Sequence, residues 1–271
     1  MSQASGLPLP LIRRMTPQAV HLKAAIYADP GVGKTTMLAT AQDHPWTSPT
    51  LFIDMEGGMA SIAHRTDLDY VRVQTLEELD SVFWFLAKGG HQYKSCSLDS
   101  LSEMQLCGLD KILVEAKGLP RPKDKPARLE DEVWIEDYGR STNQMRRIIR
   151  QFRDLPMHVF FSCLVREDKD EKTGRLVVQP RLTPGVVSVL LGYVDLCGYM
   201  YVHNIEQPDP EDANKTIRAS SRRMLLQPWN PYYAKDRLIK NVMLVEEPTI
   251  PKLIELYRAA LAERTVHPEQ Q

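Results

Sequence analysis

The run Ala28-Asp29-Pro30-Gly31-Val32-Gly33-Lys34-Thr35 leaves this chain few ways to fold. It follows the apolar segment Ala24-Ala25-Ile26-Tyr27 and precedes Thr36-Met37-Leu38-Ala39-Thr40-Ala41, which suits a helix. Strand, glycine-rich loop and helix, in that order, are the setting in which a backbone loop wraps a phosphate. Gly31 and Gly33 permit backbone angles closed to other residues, so consecutive N–H groups can turn toward one anion. The positive end of the following helix adds to the same point. The pattern assigns nucleotide contact to Asp29, Pro30, Gly31, Val32, Gly33, Lys34, Thr35 and Thr36. Lys34 is expected to reach the β- and γ-phosphates, and Thr35 to offer its hydroxyl to Mg²⁺. The first position, where glycine is usual, holds Ala28. Alanine can take the strand-end conformation provided φ stays negative.

A loop of this kind needs a sheet to sit on, and the rest of the chain supplies one. Short apolar runs at 50–54, 70–73 and 157–164, with a weaker run of small residues at 95–99, read as strands, alternating with helical patterns at 76–88, 101–117 and 133–155. Thr75-Leu76-Glu77-Glu78 is a capping box that opens the first of these helices, and Gly89-Gly90 closes it. The long helix carries a stripe at Trp134, Tyr138, Met145, Ile148, Ile149 and Phe152. Such alternation predicts an α/β fold, a mostly parallel sheet covered on both faces. The later strands, 196–205 and 217–226, have few helices between them and predict an antiparallel extension at one edge. A short helix at 186–191 and a closing helix at 251–262 complete the pattern. Residues 1–20 read as a mobile lead-in, and residues 21–271 as one domain.

Composition narrows the function classes. With 34 basic and 35 acidic residues the net charge is −1, so contact with a polyanion must come from local patches. The four cysteines form no C-x-x-C pair, and the expectation is reduced thiols in a cytoplasmic protein without membrane segment or structural metal. Hydrolysis of a bound nucleotide asks for two carboxylates, one for Mg²⁺ and one for the attacking water. Asp99 ends a strand, where it suits the metal role, or else caps the helix that follows. Glu56 also ends a strand, with Gly57 and Gly58 behind it, and suits the water; the plainer reading is a turn carboxylate.

Ala-Asp-Pro-Gly-Val-Gly-Lys-Thr-Thr, then Phe52-Ile53-Asp54-Met55-Glu56, then Leu98-Asp99-Ser100, resembles the RecA-like recombinase core over residues 22–245. The resemblance implies a three-layer P-loop NTPase core that binds ATP and Mg²⁺. It implies that Glu56 is the catalytic carboxylate, Asp99 the metal-side aspartate, and Ser162 a polar residue sensing the γ-phosphate. Lys235 and Arg237 are similar to the basic pair that reaches a neighbouring subunit's ATP in RecA-type filaments. Residues i and i+2 of a strand share a face, so the two can act together. Within the family, the short core and the Ala234-Lys235-Asp236-Arg237 segment look most like the phage ATPases that anneal single strands.

That likeness implies self-association, as filament or ring, contact with single-stranded DNA, and a place in the host cytoplasm. Candidate DNA contacts are Arg121, Lys123, Lys125 and Arg128, the helix series Arg146, Arg150 and Arg153, and the hairpin cations Arg166, Lys169, Lys172 and Arg175. Acids interleave with the hairpin cations, and a solvated face also explains the helix arginines. A ring-forming helicase-type motor and a nucleotide-gated assembly switch without DNA remain as alternatives.

Overall fold

The computed structural model describes residues 20–117, 132–170, 173–208 and 216–266. Its centre is strand β1 (Lys23–Ala28), whose six residues are all buried. Ala24, Ala25 and Ala28 present so little bulk that layers on both faces close over the strand. On one side β1 pairs in parallel with β5 (His158–Lys169), with Ala28 opposite Leu164. On the other it pairs in parallel with β7 (Leu196–Pro208), with Tyr27 opposite Tyr199. Beyond β5 lie β4 (Ser95–Asp99), β2 (Thr50–Asp54) and β3 (Asp69–Arg72), all parallel. Beyond β7 come the antiparallel strands β8 (Thr216–Leu225) and β10 (Leu244–Glu246). The order β10-β8-β7-β1-β5-β4-β2-β3 is thus a parallel sheet with an antiparallel edge, as the alternation of patterns predicts.

Helices cover both faces and make three layers. Helix α1 (Lys34–Ala39) and helix α6 (Ile250–Val266) pack one face, through Met37, Leu38, Leu253 and Tyr257. Helices α2 (Leu76–Lys88), α3 (Leu101–Lys117), α4 (Ile135–Arg153) and α5 (Pro184–Tyr193) pack the other, through Leu79, Met104, Ile149 and Leu190. The α2 capping box forms as its sequence demands, with Thr75 Oγ1 accepting from Glu78 N at 3.2 Å. Among the described residues no helix is long and apolar enough to cross a membrane.

The structure adds local detail to these expectations. The 95–99 segment, polar for a strand, lies in the middle of the sheet and is buried throughout. Ser95 donates to the Thr47 carbonyl at 2.7 Å, whereas Ser97 Oγ is buried without a hydrogen-bond partner among the described residues. The apolar stripe of α4 stops short of its N-terminal end: Tyr138 is 46% exposed, and Asp137 and Ser141 face inward instead. Strand β5 runs five residues past Leu164 and turns into β6 (Leu176–Pro180), so the hairpin rises from the same end of the sheet as the glycine loop. The 1–20 lead-in, except Val20, and the cations Arg121, Lys123, Lys125, Arg128 and Lys172 lie outside the described residues.

Candidate nucleotide site

The loop between β1 and α1 has the backbone its glycines require. Gly31 and Gly33 adopt φ of +80° and +105°, whereas Ala28 stays within ordinary strand geometry and ends β1 fully buried. Alanine at the first loop position therefore costs no strain. Lys34 Nζ folds back on the loop, donating to the carbonyls of Ala28 and Asp29 at 3.1 Å each. Burial lowers its pKa, while the nearby Asp99 and Glu56 carboxylates oppose that shift. An ammonium held over the loop by two neutral carbonyls can exchange them for phosphate oxygens.

Parallel pairing gathers the remaining residues at the same end of the sheet. Asp54 and Asp99 are register partners at the ends of β2 and β4. The Asp99 carbonyl accepts from Met55 N at 2.7 Å and from Glu56 N at 3.3 Å, which sets Glu56 just above it. Asp99 itself is 2% exposed. Its carboxylate accepts from Thr35 Oγ1 at 2.6 Å and from Ser162 Oγ on β5. Burial pushes the Asp99 pKa up, and the two hydroxyls beside it offset only part of that. The helix cap, the alternative reading of Asp99, is made by its neighbour: Ser100 Oγ accepts from Glu103 N at 3.3 Å. The Asp99 carboxylate is thereby left for the loop. Ser100 Oγ also donates to Glu56 Oε1, tethering a side chain that is otherwise exposed.

Thr35, Asp99, Glu56, Ser162 and Lys34 thus meet although up to 128 positions separate them in the chain (162 minus 34). Thr35 and Asp99 present one hydroxyl and one carboxylate, hard oxygen donors in contact with each other, with no histidine or thiol between them. That donor set fits Mg²⁺, which takes few protein ligands and completes its shell with water and phosphate oxygens. Next to Ser162, the Cys163 thiol is buried and its pKa is pushed well up, which keeps it neutral.

Two features behind the site carried no local signal. Asp54, buried at the end of β2, accepts from Arg72 Nη1 at 2.9 Å and from Gly57 N at 2.8 Å. This clamp holds the Glu56-Gly57 turn, where Gly57 has φ of +79° and a Cβ would meet the Arg72 guanidinium at 3.2 Å. Arg72 belongs to a different strand, so only the β2–β3 pairing reveals it. The second is Arg222 on β8, whose guanidinium lies against Gly33.

The other sequence candidates fall elsewhere. Lys235 begins the two-residue strand β9 (Lys235–Asp236), which pairs with the start of β7, at the end of the sheet opposite the loop. Its Nζ donates to the Leu191 and Val194 carbonyls, and Arg237 binds the Gly192 carbonyl and Asp195. Both cations therefore cap the C-terminal end of α5, far along the strands from their own chain's loop. In the hairpin, Arg166 pairs with Asp168 at 2.6 Å, while Lys169 and Arg175 are exposed. On α4, Arg150 donates to the Tyr193 hydroxyl at 3.0 Å and Arg153 lies 4.3 Å over that ring, so these two are engaged with α5 rather than simply solvated. Arg146 is exposed. The base of the hairpin is fastened to the helix that follows Asp99: Ser102 Oγ accepts from Leu164 N at 3.0 Å and donates to the Arg181 carbonyl at 3.1 Å.

A glycine loop leading from the central strand into a helix, a buried aspartate on a strand once removed, and a sheet covered on both faces define a P-loop ATPase-type α/β domain. The chain belongs to the AAA domain family, whose family model matches residues 21–238. No curated protein matches it.

Proposed function

We propose that this protein is an ATP- and Mg²⁺-dependent ATPase of DNA recombination, which self-associates and binds or anneals single-stranded DNA. The reading is carried by the convergence of Lys34, Thr35, Asp99 and Glu56 at the loop end of the sheet. The loop amides and Lys34 would hold the phosphates, and Thr35 with Asp99 would hold the metal ion. Mg²⁺, when bound, neutralises charge on the β- and γ-phosphates and orients them. Glu56, tethered by Ser100 and otherwise exposed, would accept a proton from a water attacking the γ-phosphate. Ser162 orients the Asp99 carboxylate and adds a hydroxyl to the same cluster.

DNA contact rests on position. The β5–β6 hairpin rises beside the loop with Lys169 and Arg175 exposed, and Ser102 links its base to the strand end that carries Asp99. A change at the nucleotide therefore has a short mechanical path to the hairpin. Resemblance to phage single-strand annealing ATPases supports self-association, with Lys235 and Arg237 serving a neighbour's nucleotide from the opposite end of the sheet. The same resemblance supports a place in the host-cell cytoplasm.

The test is sedimentation with ATP and with labelled single-stranded DNA, paired with ATPase assays of the wild type and Lys34→Ala. The expected result is DNA-bound oligomers and turnover that is lost in the variant. Binding should weaken with salt, with a slope of about −0.7 per phosphate neutralised on a single strand. Oligomers that form with ATP but ignore DNA would replace this reading with the assembly switch, and duplex unwinding would replace it with the helicase-type motor. Unchanged turnover in folded Lys34→Ala would remove the nucleotide site itself.

A further inference from the structure

Resting on the nucleotide-site reading above, we propose that Arg222 is a phosphate-binding residue that closes the glycine loop from the β8 side and holds the α/β-diphosphate of the nucleotide. The structure places it there in three ways. Gly33 has φ of +105°, and a Cβ built on it would lie 3.4 Å from Cζ, Nε and Nη1 of Arg222. The guanidinium therefore lies against the loop just before Lys34, where the backbone N–H groups turn toward the anion.

The backbone of Arg222 is held in place while its side chain is not. Arg222 N donates to Glu247 Oε1 at 2.8 Å, and Glu247 N donates to the Arg222 carbonyl at 2.8 Å. The Glu247 carboxylate is thus engaged with a main-chain amide. Among the described residues the Arg222 guanidinium, on an exposed residue, has no hydrogen bond or ion pair.

Alternation along β8 separates Arg222 from its neighbour. Met224 packs in the cluster of α1 and α6, and Leu225 in the cluster on the other face. Arg222, two residues before Met224, accordingly shares the α1 face, while Arg223 points the other way and pairs with Glu246 at 2.9 Å. Of two adjacent arginines, one is paired with a carboxylate within the fold and one is directed to the loop.

The chemistry selects the ligand. A guanidinium is planar, permanently charged and forked, and matches two oxygens of one phosphate group. In a loop of this type the amides cradle the α- and β-phosphates, while the lysine takes the β- and γ-phosphates. Arg222 lies by the amides, so it holds the part of the nucleotide common to ADP and ATP. It acts in binding, and the hydrolytic step does not depend on it.

The experiment is calorimetric titration of the full chain with Mg·ADP and with Mg·ATP, for wild type, Arg222→Gln, Arg222→Lys and Lys34→Ala, with folding checked by circular dichroism. Removing a charge-assisted hydrogen bond should raise the dissociation constant for both nucleotides by about 10- to 100-fold in Arg222→Gln. Arg222→Lys should recover part of the loss. Wild-type affinity for ADP in Arg222→Gln, or a loss confined to ATP, overturns the proposal. If Lys34→Ala loses binding while Arg222→Gln does not, the nucleotide site stands and only Arg222 is removed from it. If Lys34→Ala also binds normally, the nucleotide-site reading fails, and this inference fails with it.

Discussion

The sharpest test of how this site is built is Arg72→Ala, a change that touches neither the loop nor the proposed catalytic carboxylate. Arg72 donates to the buried Asp54 carboxylate at 2.9 Å, and Asp54 in turn accepts from Gly57 N at 2.8 Å. Removing the guanidinium deletes one hydrogen bond between charged partners, typically about 1.5–3 kcal/mol. It also leaves a carboxylate in a site 4% exposed at the side chain. The Arg72 side chain is itself 38% exposed, so water can enter where the guanidinium was. The low end, about 1–2 kcal/mol of lost stability, follows from that screening. The functional effect comes through geometry. Gly57 is one residue from Glu56, and once the turn loosens, the Glu56 carboxylate depends on Ser100 alone for its placement. A misplacement of about 1 Å can cost roughly 10²-fold in rate. Arg72→Ala should therefore lower kcat by about two orders of magnitude and leave ATP affinity within a factor of a few. The assays are urea denaturation, nucleotide titration and steady-state ATPase on one preparation. A variant destabilised by the expected amount yet turning over at the wild-type rate would refute the clamp as a positioning device. A parallel loss of ATP affinity would show that Arg72 acts through the loop instead.

Glu56→Gln should keep ATP affinity and slow hydrolysis by roughly 10²–10⁴, because an amide does not accept the water's proton. Survival of turnover there, with loss in Asp99→Asn, would move the catalytic role to Asp99. Lys235→Ala with Arg237→Ala should bind ATP but hydrolyse it slowly, and mixing this double variant with Lys34→Ala should restore part of the activity through junctions that pair an intact loop with an intact basic pair. Co-assembly without recovery would confine both cations to their structural role at the end of α5. The pH dependence of stability should include a histidine component. His158 Nδ1 accepts from Leu22 N at 3.0 Å, which requires the neutral ring, and burial first, then His21, Lys23 and His44, lower its pKa to about 3. The folded state resists protonation, so stability is intact above about pH 6.5 and falls as pH drops below it, by about 2 kcal/mol at pH 5. Chemical denaturation at pH 7 and pH 5 should show that loss in the wild type and a smaller one in His158→Gln; equal losses would assign it to other groups.

What the sequence determined by itself is the local chemistry. The glycine loop could be placed from its residues because φ of +80° and +105° at Gly31 and Gly33 is open to glycine and almost nothing else. The α2 cap, the antiparallel edge and the alternation of strands with helices were legible for the same reason, since each depends on neighbours in the chain. Glu56 and Asp99 could be marked as strand-end carboxylates, and the resemblance attached roles to them. Their placement beside each other is a property of the β2–β4 register, which local pattern does not specify. Tertiary structure alone decided that Ser100, the residue that caps α3, also tethers Glu56. It also decided that Arg72 clamps Asp54 across two strands and that Lys235 and Arg237 cap α5. Arg222 shows the limit most plainly: in sequence it is one of two adjacent arginines on a strand, and the alternation of strand faces gives the two different partners. Hydrogen bonds and ion pairs between residues far apart in sequence form only once the sheet order, with the buried β1 at its centre, brings their strands together.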